Sequence, residues 1–280
     1  MADPTPGAIL VGVDNSPNSS KAAAWALSIA GATGLPITAV AAWTSLDPSV
    51  LHGIDDHISE MSAATAQAAT RSLSAAGVVG LDVIGARGEP AAALLEIAKR
   101  SEAAMLVVGT RGLGPLSGLL LGSISRRLLF TSDFPLVLVP RQSTLNPTPP
   151  RRILVGVDCS QVARRVLSFS VKLCAALRVP ATIVRCADPG CEKPPGHVEH
   201  FDDQIVADTE KAVAQFRKEG VGYKVVVCNG DPRVGLPETA AVDDAGLIII
   251  GTRGAGHFSG LGGTASYLVR HSSLPLVAVP

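Results

Sequence analysis

The strongest constraint on this chain of 280 residues is an internal duplication. The stretch Ile9-Leu-Val-Gly-Val-Asp14-Asn-Ser16 returns as Ile153-Leu-Val-Gly-Val-Asp158-Cys-Ser160, 144 residues later. Gly88-Glu-Pro90 returns as Gly230-Asp-Pro232, and Val108-Gly-Thr-Arg-Gly112 as Ile250-Gly-Thr-Arg-Gly254, both at a separation of 142. Phe134-Pro-Leu-Val-Leu-Val-Pro140 returns as Leu274-Pro-Leu-Val-Ala-Val-Pro280, at a separation of 140. Four landmarks in one order, with a slowly shrinking separation, describe a duplicated domain with small deletions. Between the copies lies Gln142-Ser-Thr-Leu-Asn-Pro-Thr-Pro-Pro150, whose prolines and polar residues suit a semi-rigid linker. The expected organisation is a first domain over 1–141, a linker over 142–150 and a second domain over 151–280.

Each copy alternates short apolar runs with helical stretches. In the first, apolar runs bounded by turn residues predict buried parallel strands at about 8–13, 36–43, 80–86, 104–108 and 135–139. Ser16-Pro17 supplies a cap and a first-turn proline for a helix reaching Thr33. The Ala-rich segment from about Asp55 to Ala76 is long enough for a second helix. Pro90–Arg100 opens on proline and closes on Lys99-Arg100, which suit the negative end of a helix. This alternation implies an α/β fold with a doubly wound parallel sheet in each copy. The second copy repeats the pattern, with a loop rich in Pro and Gly at Asp188–Gly196.

Composition removes several function classes. Lys plus Arg and Asp plus Glu each number 24, so there is no basic surplus to attract duplex DNA or an anionic membrane. Aromatic residues make up 4%, too few for stacking platforms along single-stranded nucleic acid. No apolar run reaches the roughly 18 residues of a membrane span. Met1-Ala-Asp-Pro lacks the cationic start and apolar core of a secretion signal. The five cysteines (Cys159, Cys174, Cys186, Cys191, Cys228) are odd in number and form no C-x-x-C pair, as expected of reduced thiols in a cytoplasmic protein.

Ligands of doubly wound sheets bind beyond the carboxyl ends of the strands, where the strand order reverses. Two loops of the first copy should face that crevice. One carries Asp14 after the first strand. The other follows the fourth and reads Gly109-Thr-Arg-Gly112-Leu-Gly114-Pro-Leu-Ser-Gly118-Leu-Leu-Leu-Gly122-Ser123. Glycines there permit positive φ and a close approach of backbone to ligand. Main-chain N–H groups leading into a helix N-terminus near Gly122-Ser123 form a seat for phosphate oxygens, with the Ser123 hydroxyl as a further donor. An ionised carboxylate only accepts hydrogen bonds, so Asp14 suits ribose hydroxyls or a divalent cation bridging phosphates. A glycine-rich loop alone serves a long turn equally well; its return at the same place in both copies favours a ligand. No Gly-Lys pair occurs, which excludes a Walker A loop, and Gly112-Leu-Gly114 lacks the next glycine of a dinucleotide fingerprint.

The spacing G-x2-G-x9-G-[ST] at Gly109, Gly112, Gly122 and Ser123, with Gly12-Val-Asp14 ending the first strand, resembles the universal stress protein family. The tandem arrangement is similar to that family's two-domain members. The resemblance implies two Rossmann-like domains with strand order 3-2-1-4-5, each holding an adenine nucleotide. It also implies ATP with Mg2+ as ligand and a nucleotide-dependent regulatory role in the stress response. By position, Gly12 and Asp14 would lie at the strand end, with Asp14 towards ribose or metal. Ala42 would contact adenine through its backbone, and Val108 and Gly109 would lie along the nucleoside. Gly112, Gly122, Ser123 and Ile124 would cradle phosphates. Members of the family pair through the terminal strand, which implies a pseudo-dimer of the two copies and a homodimer through the edge strands ending at Pro140 and Pro280.

The second copy departs from the pattern, because nine residues after Gly254 lead to Thr264 and the Gly263-Thr264 pair comes one residue early. The matched positions are Asp158, Cys186, Ile250, Gly251, Gly254, Gly263 and Thr264. Thr264 keeps a hydroxyl on a stiffer, β-branched side chain. Both copies are expected to bind ATP.

Three cysteines, Cys159, Cys186 and Cys228, follow or end the first three strands of the second copy. A thiol sensor beside the pocket would need a lowered thiol pKa; inert, buried cysteines are the alternative. His197-Val-Glu-His200 with Asp202 and Asp203 offers metal ligands, yet completes no zinc pattern and reads equally as a solvated face. Arg126-Arg127 and Arg164-Arg165 read as surface charges. No Ser-His-Asp arrangement emerges, and no group is spaced to activate water in both copies, so no catalytic residue is assigned. The residues support binding over turnover, with slow ATP hydrolysis at most. Rival readings are an ATPase or nucleotidyl-transferring enzyme, a sensor of AMP or cyclic AMP, and an interaction scaffold with a degenerate pocket.

Overall fold

In the computed structural model the described residues are 4–44, 54–112, 121–158, 160–187, 213–253 and 261–280. The chain divides into two compact units, Met1–Pro149 and Pro150–Pro280. The first unit runs β1 (Ile9–Val13), α1 (Pro17–Thr33), β2 (Ile37–Trp43), α2 (Ile54–Ala75), β3 (Val83–Arg87), α3 (Pro90–Arg100), β4 (Met105–Gly109), α4 (Ser123–Thr131) and β5 (Leu136–Val139). Its strands pair in parallel in the order β3-β2-β1-β4-β5. The second unit runs β6 (Ile153–Val157), α5 (Gln161–Leu177) and β7 (Ala181–Ala187), then a helix α6 described over 213–218. It continues with β8 (Tyr223–Asn229), α7 (Pro232–Val242), β9 (Leu247–Gly251), α8 (Gly263–His271) and β10 (Leu276–Val279). These strands pair in parallel in the order β8-β7-β6-β9-β10, the same 3-2-1-4-5 winding. The loop at Asp188–Gly196 lies outside the described residues.

Central strands are covered on both faces, which is why they read as unbroken apolar runs. Ile9, Leu10 and Val11 of β1 and Leu106 and Val107 of β4 are fully buried, as are Ile153, Leu154 and Val155 of β6. Ser16 caps α1, its hydroxyl accepting from Ser19 N at 3.1 Å, and Pro17 fills the first helical position. The helix stops at Gly34, whose left-handed φ of 74° returns its N–H to Ala30 O. The duplicate helix α5 makes the same stop with Arg178, at φ 57°. The third strand begins at Val83, later than the predicted residue 80, because Gly80 takes φ 76° and cannot extend a strand. No helix among the described residues is long and apolar enough to cross a membrane.

Two local arrangements matter for stability. In the first unit α2 lies almost on the backbone of β3: the Trp43 indole N–H donates to Ser62 Oγ at 3.1 Å, and the Ser62 main chain covers Gly85. In the second unit Asp243 sits at the C-terminus of α7, where the helix dipole disfavours a carboxylate. Lys224 Nζ and Thr182 Oγ1 each donate to it at 2.6 Å, and Arg152 Nη1 donates to the same threonine oxygen at 3.4 Å. Burial opposes its ionisation, but these donors and the charges of Lys224 and Arg152 outweigh that and hold Asp243 below the usual carboxylate range. A folded pKa below the unfolded one gives stability that is present above the ordinary range and is lost as pH falls through the folded value. Asp243→Asn is therefore expected to lower the urea midpoint at pH 7. That deficit should shrink as the pH drops below about 4, and a constant deficit from pH 7 to pH 3 would contradict the assignment.

Candidate functional site

The strand order reverses between β1 and β4 in the first unit, and the two loops expected at that crevice do meet there. Asp14 follows β1, and its Oδ1 accepts from Ser16 N at 3.1 Å while its own N–H donates to Ser19 Oγ at 3.3 Å. This turn fixes the carboxylate at the strand end. Gly112 lies against it, since a Cβ there would overlap Asp14 Oδ2. Val108 and Gly109 end β4, and Ala42 is the penultimate residue of β2. Beneath Gly109 sits Asn18, only 5% exposed, whose Nδ2 donates to Arg111 O at 3.2 Å and Val139 O at 3.5 Å. Its Oδ1 is buried without a hydrogen-bond partner among the described residues. Ser125 Oγ donates to Gly109 O at 2.7 Å, fixing α4 to the end of β4.

The returning end of the loop is fixed by Gly122 N donating to Thr110 O at 2.7 Å. Helix α4 then starts at Ser123 with Gly122 as its cap and no side-chain hydrogen bond there. Side chains of Ser16, Glu89 and Asp231 do cap α1, α3 and α7. Among the described residues no side chain therefore caps the first amides of α4, at exposed Ser123 and half-buried Ile124.

Positive φ is not used at the described glycines of the two crevices: Gly109, Gly112, Gly122, Gly251 and Gly263 all lie outside the left-handed region, and Gly114 and Gly118 lie outside the described residues. Gly109 and Gly112 are required for space, Asn18 and Asp14 occupying the positions of a Cβ. Gly12 also has a packing reason, because a Cβ would stand 2.9 Å from Leu94 Cδ1 of α3 and 3.2 Å from Val108 Cγ1.

In the second unit a cavity of about 710 Å3 opens at the C-terminal ends of β6, β7 and β9. Asp158, Cys186, Ile250, Gly251, Gly263 and Thr264 line it, six of the seven positions expected there. Gly254 lies outside the described residues. Asp158 Oδ1 accepts from Ser160 N at 3.0 Å, repeating the turn of Asp14. Ser160 Oγ, on the cavity wall, is buried and has no partner among the described residues.

The register of the second glycine-rich loop differs from the one read in the sequence. Gly262, with its N–H donating to Thr252 O at 2.8 Å, is the uncapped start of α8 and so the counterpart of Gly122. Ten positions separate Thr252 from Gly262, against twelve between Thr110 and Gly122, so two residues are missing. Gly263 then stands where Ser123 does, and Thr264 where Ile124 does. The helix start follows this carbonyl bond, which the Gly-Thr string does not reveal.

Charge at the cavity comes from Arg233 and Arg253 set against Asp158 and Asp231; the two arginines are lining residues that the sequence reading did not single out. Arg233 is oriented by Asp231, with Nε donating to Oδ2 at 2.7 Å, and lies 5.9 Å from the Tyr267 ring centroid. The Arg233 hydrogen bonds hold the Asp231 carboxyl below its ordinary range. A signal for these residues existed. Arg253 belongs to the repeated Gly-Thr-Arg-Gly, Arg233 follows the repeated Gly-Asp-Pro, and Ser160 ends the first repeated string. Asn18 had none, since Val162 replaces it in the second unit, filling the space beside Gly251.

Of the three cysteines read as a sensor, Cys186 does not meet the requirement of a lowered thiol pKa. Burial pushes Cys174 up to about 12. Cys186 is pushed up to about 11, first by burial and then by Cys228 and the charge of Asp231. Cys159, His197, His200, Asp202 and Asp203 lie outside the described residues. Arg126, Arg127, Arg164 and Arg165 are exposed on α4 and α5.

The sequence profile of the universal stress protein family matches residues 7–140 and 150–280. A universal stress protein of Mycobacterium tuberculosis is 31% identical over 273 residues, covering 90% of this chain and 89% of that protein. One from Mycobacterium bovis is 26% identical over 304 residues, covering 96% and 93% respectively. Among solved structures, a universal stress protein from Archaeoglobus fulgidus matches with a TM-score of 0.70 at 22% identity, covering 97% of each chain. At that identity the likeness bears on the fold.

Proposed function

The chain belongs to the universal stress protein family, and from that premise we propose that each unit binds an adenine nucleotide, ATP with Mg2+, so that occupancy makes this a nucleotide-dependent regulatory protein acting in the cytoplasm. The observation that carries the reading is the cavity of about 710 Å3 at the strand ends of the second unit, a size within the usual range for small-ligand sites. Its chemistry favours an anionic, hydroxyl-bearing ligand. The uncapped start of α8 offers main-chain N–H groups, Arg233 and Arg253 supply positive charge, and Asp158 accepts from ribose hydroxyls. Ser160 Oγ is a buried polar atom for which a ligand would provide the missing partner.

The same roles in the first unit fall to Asp14, Ala42, Val108 and Gly109 on the nucleoside side, with Gly112, Gly122, Ser123 and Ile124 towards the phosphates. Mg2+ keeps most of its waters and binds chiefly through phosphates; Asp14 in the first unit and Asp158 in the second would hold it, Asp231 of the second cavity being engaged by Arg233. When bound, the ion would offset phosphate charge. No described side chain is positioned as a base for water in both units, so the reading is binding with regulation. Regulation requires that a nucleotide favour one conformation or partner-bound state over another.

Calorimetric titration of the full chain with ATP and Mg2+ tests this. Two binding events per chain are expected. Absence of heat on a folded chain at millimolar nucleotide would refute the reading, and tighter binding of AMP or cyclic AMP would replace ATP as the ligand.

A further inference from the structure

We propose that Cys186 and Cys228 are a dithiol pair that closes to a reversible disulfide in the wall of the second-unit cavity. The two residues are direct partners in the parallel pairing of β7 and β8. Adjacent strands run about 4.8 Å apart, inside the span of about 4.4–6.8 Å between Cα atoms that a disulfide bridges. Both side chains lie on one face of the sheet, under Gly235 of α7. A Cβ on that glycine would stand 3.3 Å from Cys186 Sγ and 3.8 Å from Cys228 Sγ. Cys228 Sγ also lies 3.4 Å from Thr239 Oγ1. Both cysteines are reduced and partly exposed, whereas Cys174 is buried. Cys186 lines the cavity, so the bond would tie the cavity wall to β8.

The chemistry needs an external oxidant, a low-molecular-weight disulfide. Burial and the neighbouring Cys228 and Asp231 disfavour the Cys186 thiolate, which makes Cys228 the attacking sulfur. Cys228 loses its proton to water, and its thiolate displaces one thiolate from the small disulfide and leaves a mixed disulfide on Cys228. Cys186, after losing its proton to water, attacks that sulfur and releases the second small thiolate. Two protein thiols are oxidised and one small disulfide is reduced to two thiols. The inference goes beyond nucleotide binding and does not depend on it.

Incubation of the full chain with glutathione disulfide, alkylation of the remaining thiols and peptide fragmentation by mass spectrometry provide the test. The free-thiol count should fall from five to three per chain, with a Cys186–Cys228 linked peptide that dithiothreitol removes. The link should persist in a Cys159→Ser/Cys191→Ser chain and vanish in Cys228→Ser. A folded chain that forms no such link, or that joins Cys186 only to Cys159 or Cys191, would overturn the proposal.

Discussion

Replacing Gly85 by alanine is expected to destabilise the first unit by about 3 kcal/mol, the upper part of the usual range for forcing atoms into a packed interior. Gly85 is a buried strand residue with the α2 backbone lying across it. A Cβ would fall within 2.8 Å of Ser62 Cα and 2.7 Å of Ser62 C, and would overlap its carbonyl oxygen. Backbone atoms cannot swing aside as the end of a side chain does. Helix α2 would have to lift, which would also stretch the buried Trp43–Ser62 hydrogen bond of 3.1 Å. Gly31, on the exposed side of α1 with nothing near a prospective Cβ, provides the opposite case. Gly31→Ala should stabilise by about 0.5–1 kcal/mol, the ordinary gain from removing an interior helix glycine. Both tryptophans, Trp25 and Trp43, belong to the first unit, so denaturant unfolding followed by their fluorescence reports that unit alone. Equal midpoints for the two variants would show that α2 does not press on β3 as described.

Gly112→Val should remove nucleotide binding from the first unit while leaving the second intact. The new side chain would occupy the position of the Asp14 carboxylate, forcing either Asp14 or the start of the phosphate loop out of place. An affinity loss of about 100-fold, roughly 2.7 kcal/mol, is expected. Calorimetry would then count one site per chain in place of two. Tryptophan-detected unfolding separates loss of the site from loss of the fold, because Gly112 lies at the loop mouth, away from Trp25 and Trp43 in sequence. Two unchanged sites in a folded variant would remove Asp14 and Gly112 from the binding role.

The alternation of strand and helix was legible because β1 and β4 are buried on both faces, so selection for burial writes an apolar run into the sequence. Boundaries were legible where a specific residue sets them, as Ser16-Pro17 and Gly34 do for α1. The start of β3 was misjudged because Gly80 gives no sign in sequence whether it extends or turns. The glycines of the crevice expose a similar ambiguity. Sequence shows that a side chain is missing at Gly109 and Gly112, but not whether conformation or space is the reason; here it is space, claimed by Asn18 and Asp14. The loop of the second unit was misaligned by one position, since the hydrogen bond from Gly262 to Thr252 fixes its register. Cys186 and Cys228 could be placed at neighbouring strand ends from sequence. Their facing positions could not, because a one-residue slip between β7 and β8 would put the sulfurs on opposite faces.

Duplication left the two crevices unequal: Ser123 of one is matched by Gly263 of the other, and Asn18 by Val162. Unequal receptors within one molecule need not fill together. With the same ligand offered to both, the tighter one saturates while its sibling is still empty, and the response spreads over a broader range of ligand supply than a matched pair would give. If both units bind nucleotide as proposed, a single polypeptide built this way would act as a graded gauge.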